Sequence, residues 1–93
     1  MAKIALGNGK WFSTEKAEAF EEGRDWDGRN HISRATGSQW EHQRLYHTAS
    51  GRWVLNHWSQ YQGHPETYEI IDDEQAITWL VRNEHDFPED REI

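Results

Sequence analysis

Two runs of β-forming residues, Gln43–Thr48 and Arg52–Gln60, flank Ala49-Ser50-Gly51, and no other feature restricts the fold of this chain so tightly. A three-residue loop with glycine in the left-handed position is a common antiparallel connection. Pairing Thr48 with Arg52 sets the register. Leu45 then faces Leu55, His47 faces Trp53, and Tyr46 shares the opposite face with Val54 and Trp58. Large apolar side chains emerge on both faces, so both need cover. A helix on one face, and a loop or a second copy of the chain on the other, would supply it. A homodimer burying Tyr46, Val54 or Trp58 is the expectation that follows.

The rest of the chain is read around this hairpin. Ala2, Ile4 and Leu6 suit a short strand, followed by a Gly7-Asn8-Gly9 turn and the pair Trp11-Phe12. Residues 13–22 suit a helix capped by Ser13 and ended by Gly23, although Ala17 and Ala19 also fit an edge strand. Turn formers crowd residues 23–40, with a short strand expected near His31–Ala35. Pro65 ends the second hairpin strand, and Thr67–Ile71 is a strand with Tyr68 and Ile70 on one face. A C-terminal helix is well signalled. Asp72 is its N-cap, Gln75 completes a capping box, and Ile71 can staple onto Ala76. Ala76, Ile77, Leu80 and Val81 make its apolar stripe, with Trp79 at the margin and Asn83 at the exit. The expected architecture is a single α+β domain over residues 1–88. It is a small, mainly antiparallel sheet with the C-terminal helix packed on one face and a frayed end at 89–93.

Composition bears on whether such a core can form. Hydrophobic residues are only 34% of the 93, and the mean hydropathy of −1.10 approaches that of disordered chains. Six Trp, three Tyr and three Phe answer that objection, since each large ring can bury about 150–250 Å². The chain has no cysteine, which removes disulfide scaffolds and thiolate metal sites. Its longest apolar runs are three residues, as in Trp53–Leu55, too short for a membrane span or an export signal. The expected compartment is the cytoplasm.

Charge is unevenly placed. Residues 1–65 hold seven acids and eight bases, whereas residues 66–93 hold ten acids and two bases, so a net −8 lies in the last 28. Asp72, Asp73 and Glu74 form one acidic group, and Glu84 and Asp86 begin another. Such a surface repels phosphate backbones and suits a basic protein partner. Dipole complementarity accounts for Asp72 and Asp73 at the helix start, but not for Glu84 and Asp86 beyond its end.

Several chemistries can be tried on the polar residues. Asp25 to Asn30 resembles the start of a calcium loop, yet Arg29 and Asn30 stand where an oxygen ligand and a glycine are needed, and Thr36 where glutamate is. Asp and Asn shaping a tight turn is the plainer reading. Six histidines are many for this length, but none share the one-turn spacing that fixes a metal. His47 and His57 fall on one sheet face, too far apart for one ion. No serine sits in a strand-to-helix elbow, and Gly7 to Lys10 is too short for a phosphate loop. A Trp-rich sheet could stack bases, but its arginines are scattered along the sequence.

Leu45-Tyr46-His47-Thr48, Arg52-Trp53-Val54-Leu55, Trp58-Ser59-Gln60 and Ala76-Ile77-Thr78-Trp79-Leu80, with the stretch from Trp26 to His42, form a pattern across residues 26–83. It resembles a group of small bacterial proteins to which no activity is attached. The resemblance implies that Asp27, Asn30, His31, Gln39, Glu41 and His42 are more than loop filler. The first functional expectation is a non-enzymatic, cofactor-free protein-interaction module that meets a basic protein through Asp72, Asp73, Glu74, Glu84 and Asp86. The second is a small-ligand or metal-binding protein using the 26–42 loop and the sheet histidines. The third is a single-strand nucleic-acid binder.

Overall fold

The computed structural model describes residues 3–7, 9–60, 63 and 65–85. Expectations placed on Ala2, Asn8, His64 and Asp86 onward lie outside them. The described chain is mainly antiparallel β-structure with one C-terminal helix. Strands β1 (Lys3–Gly7) and β2 (Lys10–Ser13) form an amino-terminal hairpin. Strand β3 (Glu18–Glu21) is followed by a small two-stranded arm, β4 (Arg24–Trp26) and β5 (His31–Ser33). Then come β6 (Glu41–His47), β7 (Trp53–Ser59), β8 (Thr67–Ile71) and α1 (Asp73–Arg82). The main sheet runs β3-β6-β7-β8.

The central hairpin has the register its sequence dictates: Leu45 opposite Leu55, Tyr46 opposite Val54, His47 opposite Trp53. Thr48 closes the turn by accepting from Gly51 N–H, and Gly51 takes φ +87°, a left-handed value that suits a residue without Cβ. Because side chains alternate, this hairpin feeds two separate clusters. Leu45 gathers with Ala76, Trp79 and Leu80, flanked by Phe20, Trp53, Leu55 and Ile71. Tyr46 and Val54 gather with Phe12, flanked by Ile4, Leu6, Ala17 and Tyr68. The second face is therefore covered from within the chain, by the amino-terminal hairpin. Tyr46 and Val54 are buried there, and Trp58, the third residue expected in a dimer contact, is half-buried.

Residues 13–22 are not a helix. Ser13 caps nothing: its carbonyl accepts from Lys16 and Ala17 in a turn, and β3 then pairs along β6. The segment's only large apolar residue is Phe20, so a helix would have had no stripe to bury, and short helices rest on that burial. As an edge strand it sets Phe20 opposite Leu45 and ties Glu21 to Arg44 at 2.7 Å. The arm strand Arg24–Trp26 also escaped the sequence, being short and entirely exposed.

The helix has its capping box, with Asp72 accepting from Gln75 N–H and donating its own N–H to the Gln75 side chain. Its inward stripe is Ala76, Trp79, Leu80 and Asn83, an i, i+3, i+4, i+7 set. Val81, expected inside, is 53% exposed, and Trp79, expected at the margin, is buried. Asn83 ends the helix by donating to Trp79 O and accepting the Gly23 N–H, which fastens the helix exit to the chain before β4. Among the described residues, no helix is long and apolar enough to cross a membrane.

Candidate functional site

Glu22 follows β3 directly and its carboxylate is buried, with 3% of the side chain exposed. Burying a carboxylate is costly unless hydrogen bonds compensate it. Here three donors do. Ser33 Oγ and the Gln43 N–H both donate to Oε1, at 2.9 and 2.7 Å, and His42 Nδ1 meets Oε2 at 2.6 Å. Arg24 Nε adds a longer ionic contact at 3.9 Å. Residues from β5, β6 and the β3 end thus converge on one acid, whose position follows from Glu21 pairing with Arg44 on the strand edge.

An ionised carboxylate only accepts, so His42 must donate through Nδ1. In the neutral ring the lone pair then lies on Nε2. That nitrogen is 3.3 Å from the Gln60 side-chain nitrogen, an arrangement in which the amide donates to the imidazole. His42 lies with its ring centroid 5.7 Å from that of Trp58. Trp58 carries the Arg44 guanidinium 5.1 Å above it, a cation–π contact that steadies the indole. Arg44 is itself held above the ordinary arginine range by its hydrogen bond with Tyr46 and, less, by Glu21.

Glu22, His42, Trp58 and Gln60 line an open cleft of about 280 Å³, together with Arg24, His31, Ser33 and Gln39. Three of the six loop residues singled out in the sequence, His31, Gln39 and His42, therefore come together. The other three do not join them. Asp27 Oδ1 accepts from Arg29 and Asn30 N–H in an exposed turn, and these bonds hold its carboxyl below the usual carboxylate range. Asn30 closes that turn by accepting the Asp27 N–H. Glu41 meets His57 Nε2 at 3.5 Å. The sequence missed Glu22, Arg24, Ser33, Trp58 and Gln60 as site residues. A glutamate at the end of an alternating segment, followed by glycine, was the one available signal for Glu22.

The histidines expected on the sheet are spread apart. His47 stacks on Trp53 with centroids 4.1 Å apart, while His57 bonds Gln43. Among the described residues, no three His, Asp or Glu side chains converge to hold an ion.

The acidic residues mostly have partners inside the chain. Asp72 caps the helix, Asp73 accepts the Trp53 indole N–H at 3.0 Å, and Glu84 lies 3.3 Å from Arg34, which also pairs Asp25. Glu84, left unexplained by the helix dipole, thus has a local role. Glu74 is exposed, with its backbone carbonyl accepting from Thr78. Asp86 is outside the described residues. Compared with protein-family models, curated proteins and solved structures, the chain finds no match.

Proposed function

We propose that this protein binds a small polar ligand in the cleft above Glu22 and His42. The observation that supports it is the buried carboxylate with three donors, which fixes an imidazole whose remaining nitrogen meets the exposed Gln60 amide at the cleft. A structural histidine is normally satisfied on both sides by the core; His42 is backed by a fixed acid and faced by a single exposed amide that a ligand can displace. The rim adds Arg24 and His31 as donors and Gln39 as a donor and acceptor, so the ligand that fits carries an anionic group for Arg24 and a hydroxyl that donates to His42 Nε2, as a hydroxy-carboxylate or a sugar phosphate does. At about 280 Å³ the cleft falls just below the ~300–1,000 Å³ typical of drug-sized pockets. Binding is favoured over bond-making because Ser33, the hydroxyl on the lining, is spent on Glu22. The scaffold we read beneath the site is α1 laid over the sheet face of Leu45, a reading supported by the Trp79 indole N–H on Gln43 Oε1.

Saturation-transfer NMR with a panel of small hydroxy-carboxylates and sugar phosphates tests this reading against His42→Ala and Arg24→Gln. Panel members should bind the wild type and lose that signal in both variants while the amide spectrum keeps its dispersion. A panel with no member dependent on His42 would reject it. A protein-interaction role through the acidic end is the second reading, favoured by the net −8 of residues 66–93. Its test is capture of a basic partner at low salt that Glu74→Lys abolishes.

A further inference from the structure

The amino-terminal hairpin does not close flush against the main sheet. Between them lies a groove of about 290 Å³, walled by Leu6 and Phe12 from one layer and by Val54 and Ile70 from the other. Val54 and Phe12 are almost fully buried, whereas Ile70 is 36% exposed, so the apolar wall runs from the core out to the surface. Two cations also line it, Lys10 on β2 and Arg52 at the start of the second hairpin strand. Both are exposed, and no carboxylate among the described residues pairs with either. This contrasts with Arg34 and Arg44, each held by an acid at 2.7 Å. The groove adjoins a smaller cavity of about 260 Å³ in which Ser13 takes part. The Ser13 hydroxyl is buried without a hydrogen-bond partner among the described residues. A buried polar group left unpaired in this way is uncommon and disfavoured.

We infer that this groove is a second binding site, for a small apolar carboxylate. The hydrocarbon body would lie between Leu6, Phe12, Val54 and Ile70, where it removes apolar surface from water. The carboxylate would meet Lys10 and Arg52, whose charges face solvent unneutralised and attract an anion into a low-dielectric slot. A neutral alkyl chain would gain the first term without the second, and an inorganic anion the second without the first. The combination selects an amphipathic anion. The site shares no lining residue with the His42 cleft, which is mainly polar.

Octanoate is the probe, with octanol as its neutral counterpart, titrated into the whole protein and followed by amide and methyl NMR. Octanoate should give saturable shifts at Leu6, Val54 and Ile70 at concentrations up to about 1 mM, and bind about tenfold more tightly than octanol. Lys10→Gln with Arg52→Gln should erase that preference, and Ile70→Asn should weaken both compounds. The exposed positions of these residues keep the fold intact, which the same spectra report. No saturable shift, equal affinity for octanol, or a preference retained by the double variant would overturn the assignment.

Discussion

Replacing Glu22 by Gln changes one buried atom and should disturb both the fold and the site. The carboxylate accepts Ser33 Oγ–H and Gln43 N–H on Oε1, and His42 Nδ1–H on Oε2. A glutamine can keep one carbonyl oxygen, best placed where Oε1 was, so two bonds survive as neutral ones. Bonds to charged groups contribute roughly 1.5–3 kcal/mol and neutral ones about 0.5–1.5, so each survivor weakens by about 1 kcal/mol. The amide NH₂ then faces His42 Nδ1 and can only donate. The imidazole must move its proton to Nε2, which faces the Gln60 amide. Losing the charge-assisted His42 bond costs about another 1 kcal/mol, giving a total of roughly 2–4 kcal/mol. Urea unfolding followed by tryptophan fluorescence measures the stability, and nitrogen-15 NMR of the ring measures the tautomer. A loss below about 0.5 kcal/mol, or an imidazole that keeps its proton on Nδ1, would refute the account of Glu22 as the group that fixes His42.

Trp79→Ala should cost roughly 3–5 kcal/mol in the same unfolding assay, because the ring is buried and its N–H is bonded to Gln43. Glu84→Gly should raise the thermal midpoint: Glu84 sits at φ 63°, strain of about 1 kcal/mol or more, while its exposed pair with Arg34 is worth only ~0–1 kcal/mol. A lower midpoint would mean that the pair outweighs the strain. The Asp27 carboxyl should titrate by carbon-13 NMR below 3.8, because Asn30 and then Arg29 donate backbone bonds to it. Its folded value is depressed, so the turn's contribution is present above the unfolded value and is lost as pH falls through the folded one; a midpoint at or above 3.8 would contradict the bonding.

The hairpin was legible because its loop, its alternation and its aromatic residues all demand the same register, and register errors would turn every side chain to the wrong face. The helix start was legible from Asp72 and Gln75 for a similar reason: capping chemistry is local. Its inward face was not, because Val81 and Trp79 are both apolar and only packing chooses between them. Residues 13–22 failed where local signals conflict. Ser13 and Glu15 resemble a helix start, but the partner that makes β3 a strand lies in β6, at Arg44 to His47. The site was half legible for the same reason. His31, Gln39 and His42 stand out by residue type, while Glu22, Trp58 and Gln60 join them only through pairing across the sheet.

The double duty of β6 and β7 carries an implication for the order of folding. Consecutive residues such as Leu45 and Tyr46 belong to different clusters, so neither cluster can form before this hairpin has its register. The hairpin is also the cheapest long-strand contact to make, since three loop residues close it and loop-closure entropy rises with length. By contrast, β3 must return to β6 from some twenty residues upstream, and the amino-terminal hairpin arrives from further still. The structure thus points to a transition state polarised around β6 and β7. In it, substitutions at Leu45 or Val54 slow folding, whereas those at Phe12 mainly speed unfolding.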